Sequence, residues 1–189
     1  ITINLHDLSK NNDDFSQVSF QISSQIIKIS FPQIYKYSMV IQENFGSQNI
    51  FDDLSKKLIQ YQNKGYIKEK NIILFFNLLK DKNEVITSDE YWDLCKLSEL
   101  FKVSVLQEFL KNYYDDHSKN IDFILNLITE YEKNNDDDDE LIHINNYSSN
   151  MEQILSKNID KCLSKKNFGS LKIPTIYRII TKCKKTQIF

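Results

Sequence analysis

Three histidines, three cysteines, a single arginine and one acidic run are the side chains of this 189-residue chain with the most chemistry to offer. His6, His117 and His143 stand far apart, and none has the spacing that brings two ligands onto one metal. His117 lies in "DDHSKN", where Ser118, the imidazole and Asp115 or Asp116 could furnish a nucleophile, a base and an orienting carboxylate. A polar loop between helices accounts for the same residues, so no catalytic residue is expected. Asp136 to Glu140 offer carboxylates to a divalent cation but lack the alternating ligands and mid-loop glycine of a calcium loop; a solvated linker is expected, and no metal. Three glycines leave little room for a glycine-rich phosphate loop, and no cofactor is expected.

Cys95, Cys162 and Cys183 are widely spaced with no CxxC or CxxH pair, which suits reduced thiols in the cytoplasm, with the nucleus as an alternative. Asn146-Tyr147-Ser148 fits the glycosylation pattern, but no secretory signal accompanies it, and a chance match is the simpler reading. No run approaches the length of apolar residues needed to cross a bilayer, so no membrane partner is expected. The first residue is not Met, and the chain is expected to be a fragment.

Charge is distributed unevenly. Residues 161–189 carry eight basic side chains and no acidic one, so the overall −2 conceals −10 over residues 1–160. Within "FGSLKIPTIYRIITKCKK", Gly169 is expected to break one helix and Pro174 to start the next. On that helix Ile176, Tyr177, Ile179, Ile180 and Cys183 form a broad apolar face suited to burial. Arg178, Lys182 and Lys185 line the other side. A solvated basic face is the expectation; a nucleic-acid-associated regulatory domain using that face is the alternative. Tyr35, Tyr37 and Met39 lie off the apolar stripe of an earlier helix and join Arg178, Lys182 and Lys185 as candidate partner-binding residues.

The elements that must position these residues follow from periodicity. "ITINLHDL" reads as an extended segment, and "VSFQI" and "IIKISF" alternate as two strands of a hairpin. Pro32 opens a helix whose stripe is Ile34, Ser38, Ile41 and Phe45 and which Gly46 ends. A second helix begins near Asn49, places Asp52 and Asp53 in its first turn, uses Phe51, Leu54, Leu58 and Tyr61 as its inner face, and stops at Gly65. A third starts near Asn71 and is apolar nearly all round. "EVIT" is a short strand candidate. From Ser88 a helix carries Tyr91, Leu94, Ser98 and Phe101, and the next carries Val105, Leu106, Phe109, Leu110 and Tyr113. After the polar break 115–120, Ile121, Ile124, Leu125, Ile128 and Tyr131 mark another helix; "MEQILSKNIDKCL" and "PTIYRIITKCKK" complete the chain.

This order of strands and helices, with "IIKISFPQIYKYSMVIQENF" and "EVITSDEYWDLCKLSELFKVSVLQEFL", resembles a BTB/POZ domain. Ile34 stands at the family's usual leucine, Ser38 at its characteristic serine, and Ser98 at its small residue before the short turn "FKV". Gln17 and Ser30 stand where the family has Asp and His, and the family's Tyr-Thr-Gly turn is missing. "NMEQILSKNIDKCLSKKNFGSLKIPTIYRII" resembles a divergent BACK-type helical arm. The resemblance implies an α+β, predominantly helical fold with a BTB/POZ-like domain over 1–117. It implies an incomplete helical extension over 118–189, with an acidic loop at 133–140. It also implies a non-enzymatic interaction module, an adaptor or scaffold whose partners are a second copy of itself and a cullin-type ubiquitin ligase scaffold.

Overall fold

Alternation of apolar and polar residues gives two antiparallel strands, β1 (Gln17–Ile22) and β2 (Gln25–Ser30), with Phe20 opposite Ile27 and Val18 opposite Ile29. Their period of two sends Phe20, Ile22, Ile27 and Ile29 inward and leaves Ile26 exposed. The computed structural model describes residues 17–22, 25–45, 49–80, 84–134 and 142–186, with backbone alone at 134, 142–146 and 184–186. The expected extended segment at the start, the Gly46 stop and the acidic run Asp136 to Glu140 lie outside the described residues. Everything else described is helix or connection: the fold is predominantly helical with this one small sheet, an α+β chain.

The helices are α1 (Phe31–Tyr37), α2 (Met39–Glu43), α3 (Ile50–Asn63), α4 (Glu69–Leu79), α5 (Ser88–Leu100) and α6 (Ser104–His117). After these come α7 (Ile121–Asn134), α8 (Ile142–Lys157), α9 (Ile159–Leu163), a 3-10 turn at Lys166–Ser170 and α10 (Ile173–Thr186). They group into two compact units. One takes in the described residues up to Ile86 together with Asp93–Phe109; the other comprises Thr87–Trp92 and the chain from Leu110 onward. α5 and α6 thus contribute residues to both.

In the first unit the hairpin's inner face meets a cluster of phenylalanines. Phe20 lies 4.8 Å from Phe76 and 5.6 Å from Phe101, ring centre to ring centre, and Phe75 lies 5.1 Å from Phe101. α4 buries Asn71, Ile72, Phe75, Phe76 and Leu79 along one side and half-buries Ile73, Leu74 and Leu78 on the other, so its apolar run is covered more on one side than all round. α3 stops at Gly65, whose φ of 72° suits a residue without Cβ. There the N–H of Tyr66 donates to the Tyr61 carbonyl and that of Gly65 to Gln62, the paired bonds of a Schellman cap, and the rings of Tyr61 and Tyr66 meet over it.

The same unit buries a polar group. Asp93 is 1 % exposed and accepts from the Lys68 N–H at 2.9 Å and from Asn71 Nδ2 at 2.6 Å. Burial pushes its carboxyl above the ordinary aspartate range, against the lowering effect of those bonds and of Lys68 and Lys96. Lys96, equally buried, donates to the Tyr66 carbonyl and sits 5.1 Å from the centre of that ring.

In the second unit Tyr91 donates to the Leu110 carbonyl and Trp92 Nε1 to that of Leu127 at 2.8 Å, while Tyr131 and Tyr147 flank the indole. Phe123, Ile124, Leu125, Leu127 and Ile128 bury most of α7. Tyr114 is buried beside Tyr147, and desolvation first, then Tyr147 and Asp115, pushes its hydroxyl up to about 12. Asp122 pairs with Lys165 at 2.8 Å, and Glu132 accepts the Lys172 N–H, so α7 anchors the chain leading into α10.

Several local expectations give way. "EVIT" is irregular and Val85 is 85 % exposed: among the described residues no strand pairs with it, and an unpaired strand leaves its backbone groups to water. α5 does begin at Ser88, as expected, and Thr87 caps it: its Oγ1 accepts the Asp89 N–H, while Glu90 accepts from the Thr87 N–H and hydroxyl. "MEQILSKNIDKCL" breaks at Asn158 into α8 and α9. Gly169 ends no helix, because α9 already stops at Leu163 and the glycine lies within the 3-10 turn.

Candidate interaction surfaces

The apolar stripe Ile34, Ser38, Ile41, Phe45 predicts one continuous helix, yet the chain turns at its second member. Ser38 is extended, with φ −99° and ψ 109°, and separates α1 from α2. The reason is chemical: its buried hydroxyl donates to the Phe101 carbonyl at 2.6 Å and accepts the Ile41 N–H, capping α2. Gln42 reaches back to the Tyr35 carbonyl and satisfies an end of α1 that the break leaves open. Ile34 and Ile41 are buried as expected, but Phe45 is 43 % exposed and meets the rings of Phe31 and Tyr35.

This break sets the three candidate residues of the region. Tyr35 is half-buried in that ring group, Tyr37 is half-buried with Lys36 over its ring, and Met39, first residue of α2, is exposed. The Met39 N–H donates to the Lys102 carbonyl, which brings α2 against the turn between α5 and α6. That turn is a second Schellman cap, with Val103 donating to Ser98 and Lys102 to Glu99, and Lys102 takes a φ of 48° without being glycine. Its ammonium pairs with Glu43 at 2.6 Å. α6 leaves the turn with Leu106 and Leu110 inward, while Val105 and Phe109, four residues apart, are 65 % and 49 % exposed. Met39 on α2 and Val105 and Phe109 on α6 are thus large apolar side chains left exposed on the two helices that flank this turn. Sequence periodicity counted Val105 and Phe109 as apolar helix positions without resolving which way they face.

In the second unit Arg178 and Lys182 converge on one carboxylate. Glu152 of α8 has a side chain 4 % exposed; its Oε1 accepts from Arg178 Nε at 2.6 Å and its Oε2 from Lys182 Nζ at 2.7 Å. Arg178 also donates to Thr175 Oγ1, and Lys182 reaches Ser149. A buried carboxylate is tolerable because both its oxygens are met by cations. The arginine thus has a structural task that the sequence alone left open. Arg178→Gln lowers stability by only about 1 kcal/mol, because Lys182 still meets Glu152 and the guanidinium is half in water; urea unfolding at neutral pH measures it. Of Lys185 only the helical backbone is described.

The expected inward face of α10 is corrected. Thr175 and Ile179 are buried and Ile176 and Cys183 half-buried, but Tyr177 and Ile180 are 71 % and 40 % exposed, with Ile173 at 81 %. The helix turns toward α8 the side that carries Lys182, and the aromatic is left outside.

The residues around His117 do not form a relay: His117 Nδ1 lies 2.8 Å from the Tyr113 carbonyl, its ring stacks near Tyr113 and Phe123, and the Ser118 hydroxyl donates to the Asp115 carbonyl. Cys162 is buried and its thiol is pushed up by desolvation. A polar cleft of about 460 Å³ lies among Asp89, Asn126, Glu130, Glu132, Lys133 and Lys172, where Lys133 pairs with Glu130 at 2.7 Å. No group of three or more His, Cys, Asp or Glu among the described residues could hold a metal ion, and no helix of the described residues is long and apolar enough to cross a membrane. Comparison of the chain with protein-family models, with curated proteins and with solved structures finds no match.

Proposed function

We propose that this chain is a non-enzymatic protein-interaction module of the BTB/POZ type with a BACK-like helical arm. In this reading it acts in the cytoplasm as an adaptor that associates with itself and with a cullin-type ubiquitin ligase scaffold. The observation that carries the reading is the α2–turn–α6 junction. Ser38 and the Phe101 carbonyl lock a helix break against a turn, and three large apolar side chains, Met39, Val105 and Phe109, stand exposed on the rigid framework so formed. Exposed apolar side chains held on rigid elements are what a binding partner can desolvate with little ordering cost. The hairpin followed by helical pairs, and the serine at the helix break, are further support drawn from the sequence resemblance.

Met39→Asp combined with Val105→Asp should weaken binding to a purified cullin by about tenfold or more, with an unchanged far-UV circular dichroism spectrum, since both side chains are exposed. Light scattering over a range of concentrations reads self-association in the same preparations. A chain that stays monomeric throughout and binds no cullin overturns the proposal.

A further inference from the structure

The outer side of α10 is an apolar stripe on a basic background. Ile173, Tyr177 and Ile180 occupy positions i, i+4 and i+7, are 81 %, 71 % and 40 % exposed, and fall within about 60° of the helix circumference. They point away from Thr175 and Ile179, which are buried in the second unit. The charged side chains of α10 and of the chain leading into it are all basic, since residues 161–189 hold no acidic residue. Lys161, Lys166 and Lys172 are exposed, and the Arg178–Lys182–Glu152 cluster keeps one net positive charge. Arg178, adjacent to Tyr177, has a side chain 51 % exposed, and its Nη1 has no partner among the described residues.

We propose that this face docks an amphipathic helix of a protein partner, one whose apolar seam packs on Ile173, Tyr177 and Ile180 and whose flanks carry Asp or Glu. Tyrosine and arginine are among the residue types enriched at interface hot spots, and a guanidinium with an open N–H donates to a carboxylate in its plane. A stripe spanning eight residues, from Ile173 to Ile180, is about 10 Å long, which matches two turns of a partner helix. The same face of a second copy is a poor occupant, because residues 161–189 carry no acidic residue and pairing this face with itself would bring like charges together. A membrane surface is a poor occupant too: a helix lying in the interface needs a broad apolar face, and here the opposite side is committed to Ile179 and to Glu152.

The test uses the full chain and fluorescein-labelled designed peptides of about two to four helical turns, with leucines at i, i+4 and i+7 and either glutamates or lysines on the flanks. The glutamate-flanked peptide binds at least tenfold tighter than the lysine-flanked one. Tyr177→Asp and Ile180→Asp each weaken it by about tenfold or more, with the melting temperature unchanged. Any of four outcomes overturns the proposal. These are equal binding of both peptides, affinity insensitive to Tyr177→Asp, concentration-dependent self-association lost on Tyr177→Asp, or tighter Tyr177-dependent binding to phosphatidylserine vesicles or single-stranded RNA than to the peptide.

Discussion

Phe101→Ala lowers the unfolding free energy by about 3–5 kcal/mol, the range for removing a fully buried aromatic side chain. Phe101 is inaccessible to solvent and its ring sits 5.1, 5.6 and 5.7 Å from those of Phe75, Phe20 and Phe76, so its loss opens a void with rings on three sides. Those rings belong to a helix apolar nearly all round and to a strand in a fixed register, and neither can move inward without exposing other apolar surface. Its carbonyl also receives the Ser38 hydroxyl at 2.6 Å, so a shift of the α5 terminus also disturbs the break between α1 and α2. Urea denaturation followed by circular dichroism measures the loss, and Phe101→Leu, which fills most of the volume, loses less than half as much. A loss below about 1 kcal/mol for the alanine variant would mean that the cluster is looser than described.

Asp93→Ala ranks next, at about 3 kcal/mol. Removing the carboxylate leaves the Lys68 N–H and one amide hydrogen of Asn71 without an acceptor, at roughly 1–3 kcal/mol for each buried group, and takes a nearby anion from the buried Lys96. Asp93→Asn separates charge from shape, since its carbonyl oxygen can accept the same two bonds. Because burial raises the carboxyl's pKa in the folded chain, the folded state holds the proton over a range where the unfolded state has released it. The stability Asp93 contributes is therefore complete below the ordinary aspartate pKa and is lost as pH rises through the raised value. The asparagine variant lacks that slope. Denaturation midpoints of the two proteins, compared at steps of pH from the aspartate range to neutrality, should shift in favour of Asp93→Asn as pH rises. A shift in favour of Asp93 as pH rises would show that the hydrogen bonds, and not burial, control this carboxyl, and a constant difference that the two cancel.

How far the sequence disclosed the fold depended on where the deciding atom lay. The hairpin was legible because Val18, Phe20, Ile22 and Ile27, Ile29 alternate without interruption, and the end of α3 because Gly65 occupies a left-handed position that glycine adopts without strain. The matching turn at Lys102 was expected only through the family resemblance, as the short turn "FKV": a lysine there carries no conformational signature of its own, and the hydrogen bonds from Val103 and Lys102 back to α5 make the cap. Ser38 misled in the other direction. A hydrophobic stripe runs through it at helical spacing, and what ends α1 is a hydroxyl drawn to a carbonyl 63 residues away. For the surfaces, apolar residues surround α10 on most of its circumference, so its pattern allows more than one inward face. The choice is made by Glu152, a residue on another helix that the acidic and basic runs gave no reason to single out.

Glu152 also acts as an indexing pin. Arg178 and Lys182 are four residues apart, little more than one turn of helix, and each takes a different oxygen of the same carboxylate. Sliding α10 by one turn, or rotating it by one residue's 100°, would strand one oxygen in a site with 4 % exposure, so the helix has a single allowed phase. That phase is what sends Tyr177 outward. A buried carboxylate on the inner side thereby helps select the side chains a partner can read. Exchanging Glu152 for an apolar residue would free the helix to roll Tyr177 under cover, altering recognition without touching a single residue of the recognised face.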